Sequence, residues 1–253
     1  MNIVDWLILG LMQGFLEWLP VSSSGQLSIY LSTVAGVSAG EAVKAAFFLH
    51  LGTAAAGAVI VRDYFLAALK SLLKMGSPGK ELAVATLVSA PLGFAVIKLV
   101  IPAVSSWGSL SIAVGLGLLL TAAALLMPRE GSRCIGVREA LIAGVAQGIA
   151  AVPGVSRSGL TIAAQLWAGV RSEDAVRFSI LMGVVATGVA GIYFGVSEGV
   201  ASDAGAVAGA LSAFIGGLIS GWLMMKLSRH YSVLKAVVAI AIVAEAVALL
   251  LPR

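Results

Sequence analysis

The chain has 253 residues, of which 60% are hydrophobic and only 11% are charged. A soluble domain carries about 45–50% apolar and about 25% charged residues, so this composition excludes a soluble enzyme and a disordered chain. The net charge of +4 does not indicate a nucleic-acid binder, because the basic residues lie mainly in short loops between apolar runs. With one cysteine, Cys134, the chain can form neither an intramolecular disulfide nor a thiolate metal site. The sequence therefore predicts a polytopic membrane protein.

Six apolar runs are long enough, or nearly so, to cross a bilayer core, which needs about 20 residues of helix. In chain order they lie at 43–61, 82–101, 109–127, 179–196, 205–225 and 233–251. Two further apolar stretches, 3–35 and 139–170, are interrupted at their centres by Pro, Gly and Ser. Neither stretch predicts one continuous span, because such interruptions free backbone groups that lipid cannot satisfy.

Basic residues are concentrated in three loops, at 62–80, 128–138 and 226–235. The loop 197–204 holds acidic residues and no basic one. The positive-inside rule therefore places the three basic loops in the cytoplasm. If all six runs cross the membrane and these loops are cytoplasmic, stretch 3–35 enters the membrane from outside and stretch 139–170 enters from the cytoplasm. The sequence predicts two re-entrant helical hairpins of opposite orientation.

An ungapped self-match runs through the chain at an offset of 134 residues. The matched residues are Asp5 with Glu139, Gly10 with Gly144, Gln13-Gly14 with Gln147-Gly148, and Val21-Ser22-x-Ser24-Gly25 with Val155-Ser156-x-Ser158-Gly159. Because each copy is followed by three spans, an odd number, the second copy must be inverted in the membrane. We therefore expect a single membrane domain, 1–253, with a first repeat at 1–127 and an inverted second repeat at 137–253. Chance recurrence of Gly and Ser in a biased composition is the alternative.

Both interrupted stretches carry a break rich in hydroxyl groups. The first break holds Ser22, Ser23 and Ser24, and the second holds Ser156, Arg157, Ser158 and Thr161. Backbone N–H groups at such breaks are tolerated in a membrane only where they face protein, water or a ligand. Amides at a helix start favour an anion, and a guanidinium adds a charged fork suited to phosphate oxygens. The two breaks together predict a phosphate-binding site.

Charged residues accompany this predicted site. A charge in the bilayer costs at least about 2.5–3.5 kcal/mol, so Glu17 and Arg157 are candidate functional residues. Glu17 would repel phosphate unless Arg157 pairs with it directly or a divalent cation is shared with the phosphate oxygens. The plainer alternatives are an ion pair that only fixes the packing of the repeats, and serines that bond back to helix carbonyls. His50 is explained equally well by a neutral hydrogen-bonded role and by proton transfer.

At these residues the chain resembles the undecaprenyl-pyrophosphate phosphatase family of the bacitracin-resistance type. The resemblance covers essentially the whole chain and rests on Gly14-x-x-Glu17-x-Leu19-Pro20-Val21-Ser22-Ser23-x-Gly25, His50-Leu51-Gly52-Thr53, Pro153-Gly154-x-Ser156-Arg157-Ser158-Gly159-x-Thr161 and Phe178-Ser179. It implies an integral membrane phosphatase with inverted repeats, two re-entrant helix pairs and a divalent-cation-stimulated site open to the outer face. Such an enzyme removes the terminal phosphate of a polyprenyl diphosphate and so recycles the lipid carrier of cell-wall sugars.

The resemblance also implies roles for residues of this chain. Glu17 would be the acidic catalytic residue and a ligand of Mg²⁺ or Ca²⁺, Ser23 the nucleophile or a phosphate ligand, and Arg157 the centre of a diphosphate clamp. The other expected substrate-binding residues are Gln13, Ser22, Ser24, Gln26, His50, Ser156, Ser158 and Thr161. The chain departs from the family at Gln13, Gln26 and Val185, where glutamate, histidine and proline are usual. Neither glutamine can act as a general base.

We therefore expect an all-α protein with six transmembrane helices, two re-entrant helical hairpins and a pseudo-two-fold axis in the membrane plane. Its expected partners are the membrane and a polyprenyl phosphate or diphosphate, with no nucleic acid; a homodimer is left open. As an enzyme of the plasma membrane, it would transfer the terminal phosphoryl group to water, directly or through Ser23, at the outer face. Two alternatives keep the anion site: a non-catalytic flippase for the lipid phosphate, and an ion-coupled transporter of a small anion.

Overall fold

The computed structural model describes residues 2–23, 26–27, 30–31, 39–100, 107–126, 131–152, 154–197, 200, 203–230 and 235. Within these ranges the backbone is helical, apart from turns, connecting segments and an isolated bridge between Arg133 and Val170. The prediction of an all-α protein is therefore confirmed for the described part of the chain.

Nine helices have both ends within the described residues. In chain order they are α1 (Ile3–Glu17), α2 (Ala39–Ile60), α3 (Arg62–Leu72), α4 (Gly79–Val100), α5 (Trp107–Leu126), α6 (Val137–Ile149), α7 (Arg157–Trp167), α8 (Ser172–Ser197) and α9 (Ala204–Ser228). Five of the six predicted apolar runs correspond to α2, α4, α5, α8 and α9. The sixth run, 233–251, lies outside the described residues except for Lys235.

Several of these helices are long and apolar enough to cross a membrane. Three segments qualify alone, namely Gly79–Leu99 of α4, Ser172–Gly195 of α8 and Ala204–Ser228 of α9. The pair formed by α2 and α3 qualifies only jointly and bends by 92° at its break, and Val114–Leu126 of α5 is a shorter apolar helix. The chain is therefore a helical membrane protein, and the number of six spans stays a prediction.

Helix α3 corrects the interpretation of 62–80 as a basic loop. Its 11 residues include Leu and Ala, which favour helix, and the segment has no Gly or Pro before Gly76 and Pro78. The side chains of Tyr64 and Phe65 pack against the main hydrophobic core. The interpretation was wrong because it rested on the basic residues alone and ignored the apolar residues between them.

Both interrupted stretches are broken in the structure. Helix α1 ends at Glu17 and is followed by a turn at 18–20. In the second stretch, α6 ends at Ile149 and α7 begins only at Arg157. Each stretch therefore offers free helix ends to a polar site instead of one continuous helix.

The helices that open the two stretches are capped in the same way. The Asp5 carboxylate accepts a hydrogen bond from the backbone N–H of Asn2 at 3.0 Å at the start of α1. The Glu139 carboxylate accepts one from the backbone N–H of Gly136 at 3.2 Å at the start of α6. The two aligned acidic residues of the repeat therefore have one structural role, which is to satisfy the orphan donors of equivalent helices.

Helices of the two sequence halves pack across each other. Helix α1 packs against α9, α6 packs against α4, and α2 packs against α8. Matched glycines make the first two contacts, since Gly10 lies against the carbonyl of Gly209 and Gly144 lies against the carbonyl of Ala85. A Cβ at either glycine would collide with the facing backbone, so these close helix contacts require glycine.

Candidate active site

Gln13 and Glu17 lie on one face of α1, because residues four apart share a helix face. The Gln13 side chain is fully buried and Glu17 is nearly so. Gln13 Nε2 donates a hydrogen bond to Glu17 Oε2 at 2.8 Å. The end of α1 therefore holds a buried carboxylate, and the glutamine beside it acts as a donor to that carboxylate.

The turn after α1 returns Ser23 to Glu17. Ser22 has a φ of 53°, a left-handed conformation that costs a non-glycine residue about 1–3 kcal/mol. The reversed chain brings Ser23 Oγ to 2.7 Å from Glu17 Oε2, to which it donates a hydrogen bond. Strain that aims one hydroxyl at one carboxylate is typical of functional sites.

Arg157 enters the same site from the second broken segment. Its Nη2 donates to Glu17 Oε1 at 2.5 Å, and its Nη1 donates to the carbonyl of Ser179 at 3.1 Å. The guanidinium also lies over the ring of Trp18, 5.3 Å from the ring centroid. The side chain is 16% exposed. The structure thus joins the two breaks through a direct ion pair, one of the two partners that the sequence allows for Glu17.

The hydroxyl groups around Arg157 hold the second break in place. Ser156 caps α7 by accepting a hydrogen bond from the backbone N–H of Gly159 at 3.2 Å. Ser158 Oγ donates to the carbonyl of Leu19 at 3.0 Å and so ties this break to the first. Thr161 Oγ1 lies 2.6 Å from Ser179 Oγ. These three hydroxyls lie in the site but are already engaged with protein groups.

His50 of α2 completes the buried cluster. Its Nδ1 lies 2.7 Å from the carbonyl oxygen of Ala46, which can only accept, so we assign the ring proton to Nδ1. Nε2 then faces Glu17 Oε2 at 3.3 Å and Gln13 Nε2 at 3.4 Å. His50 therefore presents a nitrogen that can take up a proton beside the carboxylate.

Of the remaining predicted substrate-binding residues, Gln26 is not brought into this network by its side chain. Ser24 lies outside the described residues. The backbone N–H of Gln26 donates to the carbonyl of Ser22 at 3.1 Å, but its side-chain Nε2 is buried with no partner among the described residues. Ser22 itself is buried beside the cluster and shapes the turn.

Three contributors to the site carried no assigned role at the level of sequence. The Ser179 carbonyl and the Trp18 ring both hold the Arg157 guanidinium. Gly183 provides the space for that guanidinium, since a Cβ at this position would collide with it. Every residue type has a backbone carbonyl, so the sequence does not show which carbonyl binds a side chain. Gly183 is one of 30 glycines, and nothing in the sequence distinguishes it from the others. Phe178-Ser179 within the family pattern was the only available signal.

The donor set around Glu17 does not fit a divalent cation held by the protein. Magnesium and calcium prefer several oxygen ligands, usually including carboxylates. Among the described residues, no group of three or more His, Cys, Asp or Glu side chains could hold a metal ion. Both Glu17 oxygens already accept hydrogen bonds, and a permanent cation, Arg157, adjoins them. The expected Mg²⁺ or Ca²⁺ therefore stays a prediction, through which we derive no chemical step.

The chain is similar to known proteins over most of its length. The chain matches the family described as bacitracin resistance protein BacA over residues 6–247. It is 34% identical over 210 residues to a protein of Methanococcoides burtonii named undecaprenyl-diphosphatase, covering 78% of this chain and 79% of the relative. A protein of Korarchaeum cryptofilum with the same name is 38% identical over 202 residues, 74% of each chain. One of Haloarcula marismortui is 34% identical over 207 residues, 76% of each chain.

Proposed function

We infer, since the chain belongs to the family of the bacitracin resistance protein BacA, that it hydrolyses the terminal phosphate of an undecaprenyl-type diphosphate in the membrane. Relatives named undecaprenyl-diphosphatase support this function. The observation that carries it is the meeting of Glu17, Ser23 and Arg157 within hydrogen-bond distance. A flippase needs only the anion site, whereas a hydroxyl bonded to a buried carboxylate provides the nucleophile and base of phosphoryl transfer. The relatives' names favour the hydrolase over the flippase.

The diphosphate head group would bind at Arg157. A guanidinium presents two parallel N–H groups that match two phosphate oxygens, and it keeps its charge at any physiological pH. Nη2 is engaged with Glu17 in the structure, so an incoming phosphate would share or replace that carboxylate. Ser179 and Trp18 would hold the guanidinium in place during this exchange.

Glu17 and Ser23 would carry out the first half of the reaction. Ser23 Oγ attacks the terminal phosphorus while Glu17 Oε2, 2.7 Å away, takes its proton. The bond between that phosphorus and the bridging oxygen breaks, and the electron pair leaves with the polyprenyl monophosphate. Arg157 neutralises the charge on the equatorial oxygens as it spreads.

Glu17 and His50 would carry out the second half. Water attacks the phosphorus of the phosphoserine while His50 Nε2 takes up a proton from that water. The bond between phosphorus and Ser23 Oγ breaks, and Ser23 Oγ takes back the proton held by Glu17. His50 then gives its proton to the departing phosphate or to solvent. Inorganic phosphate leaves and the serine is restored. In this scheme His50 supplies the base that Gln26 cannot provide. Direct attack of water on the diphosphate, with Ser23 only positioning the phosphate, is the alternative route.

The packing of the described helices supports the inverted-repeat architecture. In the proposed fold, α1 and α6 open the two repeats, and α4 and α9 occupy equivalent places in them. The contact of Gly10 with Gly209 then has its counterpart in the contact of Gly144 with Ala85. We propose on this basis six spans, two re-entrant hairpins and a pseudo-two-fold axis in the membrane plane, with repeats at 1–127 and 137–253.

The proposed site opens to the outer face of the membrane, with the basic loops in the cytoplasm. The lone thiol, Cys134, is exposed and lies in the predicted cytoplasmic loop 128–138. A membrane-impermeant maleimide should therefore label Cys134 in inverted vesicles and leave it unlabelled in intact cells. Labelling in intact cells would reverse the orientation and with it the side on which the site opens.

Phosphate release from a polyprenyl diphosphate by the purified protein in detergent tests the activity. We expect wild-type protein to release one phosphate per lipid, and Ser23→Ala to be slower by about 10²–10⁴-fold, the usual cost of losing a group in proton transfer. Ser212→Ala is the matched control, since Ser212 binds the Leu7 carbonyl outside the site. No release by wild type would contradict the hydrolase function. A normal rate for Ser23→Ala would instead favour direct attack by water.

A further inference from the structure

Helix α3 leaves the line of α2 at a right angle. The two helices are separated by a single residue, Val61, and are bent by 92° at this point. In the proposed architecture α2 crosses the bilayer, and α3, at a right angle to it, then runs along the membrane surface. Its position at one end of α2 places it at the level of the lipid head groups.

The surface of α3 is divided into three stripes. One stripe, with Tyr64, Phe65 and Ala68, faces the protein core. A second stripe continues past the helix end and is apolar and exposed, with Leu66 at 38%, Leu69 at 48% and Leu73 at 94%. The third stripe is charged and exposed; it comprises Asp63 and Lys70 and continues past the helix end with Lys74. A helix with protein, apolar and charged faces side by side fits a boundary between hydrocarbon and water.

The composition of α3 fits neither the bilayer core nor water. Arg62, Asp63 and Lys70 all fall within 11 residues, and charges at such density are too costly for the bilayer core. In water, by contrast, the aligned leucines Leu66, Leu69 and Leu73 would form an exposed apolar strip. The membrane interface satisfies both stripes at once.

The charge of the third stripe indicates which lipid head group it would bind. Lys70 and Lys74 are exposed and form no ion pair with any described residue. On this stripe they outnumber Asp63, the acidic residue of the helix. A basic stripe that sits beside an apolar one is complementary to a lipid with an anionic head group.

We propose that α3 is an interfacial helix that binds anionic phospholipid, with Lys70 and Lys74 on the head groups and Leu66, Leu69 and Leu73 among the acyl chains. The placement rests on the proposed membrane architecture and is independent of the phosphatase reaction. It assigns to the segment between α2 and α4 a lipid-binding surface that also fixes the depth of α2.

Spin labels at two neighbouring positions test the depth of each stripe. In protein with Cys134→Ser, a label on Leu69→Cys should be relaxed mainly by oxygen, which concentrates in the acyl region. A label on Lys70→Cys should be relaxed mainly by a water-soluble nickel complex. Equal access of the nickel complex to both labels would place α3 in water and overturn the proposal.

Lipid selectivity tests the charge stripe. The probe is spin-labelled phosphatidylglycerol against spin-labelled phosphatidylcholine, bound by the full-length protein in vesicles. Each basic residue near an anionic surface contributes a preference of about fivefold, so Lys70→Gln with Lys74→Gln should lower the selectivity for phosphatidylglycerol at least about threefold. Lys70→Arg with Lys74→Arg should keep it. Unchanged selectivity in the glutamine variant would overturn the proposal, whatever the result of the phosphate-release assay.

Discussion

The two broken segments of the chain share a scaffold and differ in their chemistry. Both begin with a helix capped by a carboxylate, and both use a matched glycine to approach a helix of the other half. At the offset of 134 residues, however, Glu17 is matched by Ala151, Ser23 by Arg157, and His50 by Val184. The repeated residues build the packing, and the residues that differ carry the acid, the base and the nucleophile.

The two matched glutamines of the repeat, Gln13 and Gln147, have different roles: one belongs to the site and the other to the packing. Gln13 donates to the Glu17 carboxylate at 2.8 Å. Its repeat partner Gln147 donates instead to the hydroxyl of Ser89 on α4 at 3.0 Å. Because Ala151 stands where the carboxylate would be, the second repeat keeps the amide as a packing group only. A symmetric scaffold therefore yields one asymmetric site, with one charge from each half.

Replacing Arg157 by the serine of the first break should slow the reaction strongly. Arg157→Ser gives the second break the residue that the first has at Ser23, and removes the charge that stabilises the transferring phosphoryl group. We expect phosphate release to fall by about 10²–10³-fold, the usual loss for one charge-stabilising donor. Arg171→Ser is the control, because Arg171 is exposed and pairs with Asp174. A fall of similar size in the control would mean that the assay reports general damage.

Removing both charges of the ion pair should separate its effect on stability from its effect on activity. Glu17→Ala alone leaves the partly exposed Arg157 without its carboxylate, and breaking such a buried pair costs up to about 3–5 kcal/mol. The double variant Glu17→Ala, Arg157→Ser should recover most of that loss in thermal unfolding and remain inactive. A double variant less stable than either single variant would show that Glu17 and Arg157 stabilise the fold independently, and would contradict the unpaired charge as the cause of the loss.

Restoring a second carboxylate on α1 should change the cation requirement. Gln13→Glu places an acceptor where the structure has a donor to Glu17, so the two carboxylates repel unless a cation or proton lies between them. We expect phosphate release by this variant to fall at least about tenfold in chelator, with Mg²⁺ restoring it, because a cation bridges carboxylates well. Wild-type protein should respond less to the chelator. Equal responses would show that Gln13 does not set the cation requirement.

The smallest effect is expected at the glycine that admits the guanidinium. Gly183→Ala should displace Arg157 and slow phosphate release severalfold, while thermal stability changes little because the end of a long side chain can shift. Gly188→Ala is the matched control on the same helix, since a Cβ there meets only Ala54 at an ordinary 3.7 Å. Equal rates for the two variants would remove Gly183 from the clamp.

Much of this asymmetry could be predicted from the sequence. The breaks follow from Pro, Gly and Ser inside apolar stretches, and the cost of isolated charges in a membrane made Arg157 one of two predicted partners of Glu17, beside a divalent cation. Helix α3 was missed because its apolar run, 64–69, is too short to predict a span and is flanked by the basic residues Arg62 and Lys70, which alone suggested a loop. The role of Ser179 could not be predicted, because Arg157 binds its backbone carbonyl and every residue type provides one.

The claim that Arg157 binds phosphate, and does not merely pair with Glu17, is tested most directly by lipid binding to Arg157→Lys. The measurement is the affinity of purified protein for a polyprenyl diphosphate, made in the Ser23→Ala background so that no turnover interferes. Lysine keeps the charge beside Glu17, so folding and insertion should be normal, but it lacks the planar fork that matches two phosphate oxygens. The account predicts that most of the affinity is lost. Affinity equal to that of the arginine protein would contradict the clamp and leave the ion pair with a structural role alone.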